Sequence, residues 1–173
     1  SINLKADNIH PYLSGGTVKT SKDQMSEEIA LCKTLNFACY KVRLDYRDRK
    51  DCEEKIALLN NSGIRYAVDF ICNTNHSDFN EKVLLDLLDL MDPRRVEWIE
   101  EPVIPHDAWQ QGNFLSEIDS RGFSTALGES LTSPLEFWAL DNISTVGLIQ
   151  LDATINGEYQ YLRHYARYCS SRL

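Results

Sequence analysis

The sequence predicts an α/β chain of about six β/α units with parallel strands. Three observations carry this reading. Short apolar runs alternate with amphipathic stretches along all 173 residues. Polar or charged residues close the runs at Ser14, Lys41, Asp69, Glu100, Glu129 and Asp152, separated by 27, 28, 31, 29 and 23 residues. No linker or low-complexity segment interrupts the pattern. Strand followed by helix, repeated in this way, calls for a parallel sheet with helical crossovers. Two architectures satisfy that, an open doubly wound sheet and a closed (β/α)8 barrel. Eight units of this size would make a barrel of typical length, about 250 residues, so six read as a partial TIM (β/α)8-type barrel. Gly15-Gly16 alone does not make the Gly-rich phosphate loop of a dinucleotide-binding sheet.

The runs expected as strands are 9–14, 38–44, 65–70, 96–100, 124–129 and 146–152. Between them, 26–35 places Ile29, Leu31, Cys32 and Leu35 on one broad helical face, with Ser26, Glu27 and Glu28 as an N-terminal signature. A helix over 49–61 stops at Ser62-Gly63. One over 78–91 starts at the capping residue Asp78 and stops at Asp92-Pro93. Weaker patterns cover 108–120 and 134–140. The last helix, 157–172, carries Tyr161, Leu162, Tyr165, Ala166 and Cys169 as its apolar stripe.

Composition excludes several function classes. Eighteen basic residues against 26 acidic ones leave a net charge of −8, the wrong sign for a nucleic-acid surface or a polybasic membrane anchor. No apolar run approaches the roughly 20 residues needed to span a bilayer. Five cysteines (Cys32, Cys39, Cys52, Cys72, Cys169) form no CxxC pair and read as reduced thiols filling the core of a cytoplasmic protein.

Residues two apart on a strand share a face. That places Ala67 with Asp69, Trp98 with Glu100, Leu127 with Glu129, Gln150 with Asp152, and Lys41 with Arg43. Each acid ends its run, and the C-terminal ends of barrel strands are where active sites are built. One such acid more often caps a helix or joins a surface ion pair. Three at successive strand ends, Asp69, Glu100 and Glu129, repel one another unless a hard divalent cation with oxygen ligands, typically Mg²⁺, sits among them.

Here the motifs carry a resemblance. Trp98-Ile99-Glu100-Glu101-Pro102 is followed by His106-Asp107, by Gly128-Glu129-Ser130 some 28 residues on, and by Ile149-Gln150-Leu151-Asp152 with Gly157 beyond. Upstream stand Tyr40-Lys41-Val42-Arg43 and Ala67-Val68-Asp69, and Tyr12-Leu13-Ser14-Gly15-Gly16 matches a first barrel strand. In order and spacing this resembles the barrel domain of the enolase superfamily, nearest the mandelate racemase group with its acid-sugar dehydratases. The resemblance runs from Ile9 to Gly157. It implies Mg²⁺ held by Asp69, Glu100 and Glu129. It implies abstraction of a proton α to a carboxylate through an enediolate, most simply in the dehydration of a sugar acid. The alternatives are a racemase, epimerase or cycloisomerase of the same superfamily, or a truncated non-catalytic module. The expected partner is a small carboxylate substrate, with no nucleic acid and no membrane, and a full-length homo-oligomer.

The resemblance also marks departures. The family's second strand ends in Lys-x-Lys, whereas this one carries Lys41 and Arg43. Arginine stays protonated and suits an electrostatic role toward the substrate carboxylate. Lys41 serves as base if its cationic neighbour depresses its pKa, or else holds the carboxylate. Asp152 matches the acid that pairs with a histidine on the next strand, and this dyad is the preferred base. After Asp69 the family's Asp-x-Asn is missing; Asn73 and Asn75 fall in a longer loop, where they are expected to meet substrate or water, as is His106. Glu101 is expected to face outward as a structural residue. The 173 residues read as one partial barrel domain without the capping domain and the last strands, and are expected to be inactive alone.

Overall fold

In the computed structural model, residues 11–71, 79–103, 108, 111–143, 145–152, 154–155 and 159–170 are described. Six strands and six helices alternate: β1 (Leu13–Ser14), α1 (Lys22–Thr34), β2 (Tyr40–Arg43), α2 (Arg49–Ser62), β3 (Tyr66–Asp69), α3 (Glu81–Leu88), β4 (Val96–Glu100), α4 (Gly112–Ser120), β5 (Thr125–Leu127), α5 (Pro134–Asp141), β6 (Leu148–Ile149) and α6 (Tyr159–Ser170). The strands lie in chain order in one sheet, and every neighbouring pair is parallel. An unbroken order of this kind is the barrel arrangement; a doubly wound sheet reverses its order part-way. All six expected strands exist, and β4 has the expected bounds. The other observed strands lie inside the expected runs, as short as two residues in β1 and β6.

Sequence chemistry explains the helix boundaries. Ser21 begins α1 as a capping box with Gln24, each side chain meeting the other residue's backbone amide. The helix therefore starts four residues before the expected Ser26, whose hydroxyl instead bonds back to the Lys22 carbonyl. Asp48 caps α2 through the Asp51 amide, and Gly63 closes it in the left-handed conformation. Asn80 caps α3 through the amide of Val83; the expected cap, Asp78, lies outside the described residues. Ser133 and Glu136 form the capping box of α5, with Pro134 in its first turn.

The core lies between the sheet and the helices. Val42, Tyr66, Val68 and Ile99 pack from the central strands against Ile29, Ile56, Leu59, Leu84 and Leu87 of α1, α2 and α3. Cys32, Cys39 and Cys52 are buried free thiols, as expected, and burial pushes the Cys39 and Cys52 thiols up to about 12. Among the described residues no helix is long and apolar enough to cross a membrane.

Candidate active site

Register builds the site. Across β2, β3 and β4, Arg43 stands beside Asp69 and Asp69 beside Glu100. All three end their strands, so parallel pairing carries them to one rim of the sheet. Asp69 and Glu100 are buried, and Arg43 is 43% exposed at the side chain.

Two cations face these two acids, as the shared face of Lys41 and Arg43 requires. The Arg43 Nε donates to Asp69 Oδ2 at 3.1 Å, while the Ile71 amide donates to Asp69 Oδ1 at 2.7 Å. Lys41 lies in register with Ala67, whose small side chain leaves the lysine room to reach over β3. Its Nζ meets Glu100 Oε1 at 2.5 Å, with both side chains buried. Gln150 Nε2 donates to the same oxygen at 3.1 Å, and Trp98 Nε1 to Glu100 Oε2 at 2.8 Å. The expected shared face of Trp98 with Glu100 thus becomes a contact, and that of Lys41 with Arg43 turns both cations to the two acids. The Tyr12 ring packs edge-on against Trp98 and lies 5.7 Å from the Lys41 ammonium.

The electrostatics follow from burial. Burial and the Glu100 charge raise the Asp69 pKa above its ordinary value, against the Ile71 amide, Lys41 and Arg43. Burial works to lower the Lys41 pKa, but the hydrogen bond and charge of Glu100, with Tyr12 and Asp69, win and hold it raised. The condition set for Lys41 as base, a pKa depressed by its cationic neighbour, is therefore not met. In this arrangement its ammonium is the counter-ion of Glu100.

The other half of the rim is made of turns. β5 ends at Leu127, and Gly128 has φ 116°. A side chain there would meet Leu131 Cδ1 at 3.2 Å and the Gln150 carbonyl at 3.3 Å, so the position requires glycine on both counts. Glu129 follows in the turn, half-buried, beyond the reach of strand alternation. Asp152 likewise stands past β6, in a turn where its Oδ1 accepts from the amide and the hydroxyl of Thr154, both at 2.6 Å. Those bonds lower its pKa. Asn73, Asn75 and His106 lie outside the described residues.

Sequence reasoning missed what Glu101 does. It does not face solvent: it is 1% exposed and sits at φ 45°, which breaks the strand alternation. A left-handed conformation costs a residue with a side chain about 1–2 kcal/mol. Its Oε1 accepts the Gly128 amide at 3.0 Å, and its Oε2 is buried with no hydrogen-bond partner. Burial pushes its carboxyl up to about 8, and the charges of Glu129 and Asp69 add to this against the backbone amides of Gly128 and Glu129. The only signal in the sequence is a second acid directly before Pro102, where a residue is normally extended.

The donor set suits a hard divalent cation. Asp69 and Glu100 are buried carboxylates on adjacent strands, and Glu129 ends the next unit. As the side chains stand, no three His, Cys, Asp or Glu among the described residues form a group that holds a metal ion. Lys41, Gln150 and Trp98 engage Glu100, and Arg43 engages Asp69.

Comparison with known proteins bears on the fold. No family model matches the sequence, and no curated protein matches it either. Solved structures do match. A racemase from Streptomyces coelicolor A3(2) with bound magnesium superposes at a TM-score of 0.79 and 19% identity, covering 94% of this chain and 47% of that one. The 3,6-anhydro-D-galactonate cycloisomerase from Zobellia galactanivorans matches at 0.73 and 21%, covering 94% and 44%. An L-talarate dehydratase from Polaromonas sp. JS666, complexed with Mg and L-glucarate, matches at 0.73 and 19%, covering 88% and 42%. These neighbours are mandelate racemase and enolase superfamily proteins, and the fold is theirs. The chain spans less than half the length of each of the three. The barrel fold of those structures runs through six β/α units here, and its strand ends carry the candidate site.

Proposed function

We propose that this chain forms part of a Mg²⁺-dependent enzyme that removes a proton α to a carboxylate, acting on a sugar acid as a dehydratase. One observation carries the reading: Arg43, Asp69 and Glu100 stand side by side in register at the ends of three parallel strands, with both acids buried. Structural proteins gain little from two buried neighbouring carboxylates, since their charges must be desolvated and held against each other. A binding site for a cation gives that arrangement a purpose.

Asp69, Glu100 and Glu129 would hold the metal. Bound Mg²⁺ supplies positive charge against the negative charge that builds on the substrate carboxylate as the proton leaves. The chain's own residues divide the remaining work. Arg43, half-exposed and permanently charged, orients the substrate carboxylate. Lys41, tied to Glu100, is in the wrong protonation state for a base while that ion pair lasts. This favours Asp152 as the orienting partner of a histidine base, as a low pKa suits an acid that stays charged beside an imidazolium. Racemisation, epimerisation and cycloisomerisation share the first proton transfer, and a racemase and a cycloisomerase are among the structural neighbours.

Calorimetric titration with Mg²⁺ tests the metal, with a triple variant (Asp69→Asn, Glu100→Gln, Glu129→Gln) as control. Binding by the native protein and its loss in the variant are expected. Equal heats in both would leave the three acids a structural role. In a protein that carries the completed barrel, exchange of the substrate α-proton for solvent deuterium then tests the chemistry across a panel of sugar acids.

A further inference from the structure

Glu101 combines three features that a surface acid next to a proline does not need. Its carboxyl is buried, its backbone is left-handed, and one of its oxygens has no hydrogen-bond partner. Each is unfavourable alone. The interaction set against them is specific. From the end of β4 the side chain reaches the next strand and accepts the Gly128 amide at 3.0 Å. A backbone bond lies beside it, from the Glu101 amide to the Ala126 carbonyl at 2.9 Å. Glu101 therefore fastens the end of β4 to β5 on both sides of Leu127, at the point where β5 gives way to the turn.

That turn carries Glu129. Gly128 stands at φ 116°, a conformation open to glycine and to few other residues, so the chain could leave β5 in several directions. The structure selects one, and the Glu101 carboxyl is the side-chain contact that holds the Gly128 amide. Asp69 and Glu100 need no such device, because strand register places them directly. Glu129 lies two residues past the last residue of β5 and has no register of its own.

We propose that Glu101 is a positioning residue that fixes the turn after β5, the turn from which Glu129 would join Asp69 and Glu100 on a bound metal ion. This rests on the reading of Asp69, Glu100 and Glu129 as metal ligands. Glu101 touches neither metal nor substrate; it acts through the Gly128 amide and the backbone that follows.

The test uses two variants and two readouts. Glu101→Leu keeps the bulk and removes the acceptor. Glu101→Gln keeps a carbonyl oxygen in the place of Oε1. In metal-free protein, hydrogen exchange at the Gly128 amide, followed by NMR, reports the strut alone. We expect slow exchange in the native and Gln proteins and exchange faster by at least tenfold in the Leu protein. Titration with Mg²⁺ reports the ligand. We expect affinity to fall at least tenfold in the Leu protein and to return to within about threefold of native in the Gln protein. A merely structural role would lower the melting temperature of the Leu protein and leave the Mg²⁺ affinity of its folded fraction unchanged. That result overturns the proposal, as does fast Gly128 exchange in the native protein, which needs no variant to fold. If the native protein binds no Mg²⁺, the metal reading fails and the positioning role fails with it, while the exchange data still decide whether Glu101 holds the turn.

Discussion

The two halves of the rim are built by different means. From β2 to β4, four- and five-residue strands pair in register and place Arg43, Asp69 and Glu100 side by side. From β5 to β6, strands of three and two residues end early, and Glu129 and Asp152 stand in the turns beyond them. Asp69 and Glu100 in the first half are buried, whereas Leu148 of β6 is 44% exposed. Register fixes a side chain through many cooperative backbone bonds. A turn fixes it through a few local ones, such as Glu101 to Gly128 or Asp152 to Thr154. Substitutions on the two sides should therefore cost different amounts and respond to different variables.

The largest difference should come from breaking the buried pair. Glu100→Gln takes from the Lys41 ammonium, 5% exposed, the carboxylate it is paired with, and Lys41→Met takes from buried Glu100 its ammonium. Either should destabilise the metal-free protein by about 4 kcal/mol in urea unfolding, because an uncompensated buried charge is costly. The double variant Lys41→Met, Glu100→Gln should recover most of that. Glu129→Gln, half-buried in a turn, should cost less than about 1 kcal/mol. Equal losses at Glu100 and Glu129 would erase the contrast between the halves.

The same contrast explains what was legible in the sequence. Period-two alternation identified the shared faces of Lys41 with Arg43 and of Trp98 with Glu100, and those pairs do converge. It held there because β2 and β4 persist to their last polar residue. Applied to Leu127 with Glu129 and to Gln150 with Asp152, it overran strands that stop at Leu127 and Ile149. Gln150 does reach Glu100, yet from beyond its strand. Apolar runs mark where a strand can lie but not where its hydrogen bonds end. Capping chemistry was misplaced for a related reason: Ser21 and Ser26 both resemble caps, and the choice between them is made by Gln24 and by where Met25 packs. The Lys41–Glu100 pair spans 59 residues and crosses β3, which no local pattern encodes.

A smaller effect should appear with pH. The Glu101 carboxyl is raised from an ordinary 4.5 to about 8 by burial in the folded protein. Such a group contributes stability that is fully present below its unfolded pKa and is lost as pH rises through its folded one. Relative to Glu101→Gln, the native metal-free protein should therefore weaken steadily between about pH 4.5 and pH 8, by about 3 kcal/mol at pH 7. Melting both proteins across that range checks the sign. Parallel curves would mean that Glu101 ionises as freely in the folded protein as in the unfolded chain. A gap that opens in acid would reverse the argument for its burial.

The smallest expected effect on stability is at Arg43, where it separates two roles. Its side chain is 43% exposed and gives Asp69 a single nitrogen at 3.1 Å, so Arg43→Lys should change unfolding free energy by less than about 0.5 kcal/mol. Function is where the substitution should tell. A guanidinium presents a planar fork that matches a carboxylate through two parallel bonds, and an ammonium presents a point charge. If Arg43 holds the substrate carboxylate, the Lys variant should bind a sugar acid roughly tenfold more weakly in the presence of Mg²⁺, with α-proton exchange slowed to match. The lysine also restores a second amine to the end of β2, at a position open enough to solvent to lose its proton more readily than buried Lys41. Faster exchange at unchanged affinity would therefore assign the end of β2, and not the proposed pair of Asp152 and a histidine, the place of the base.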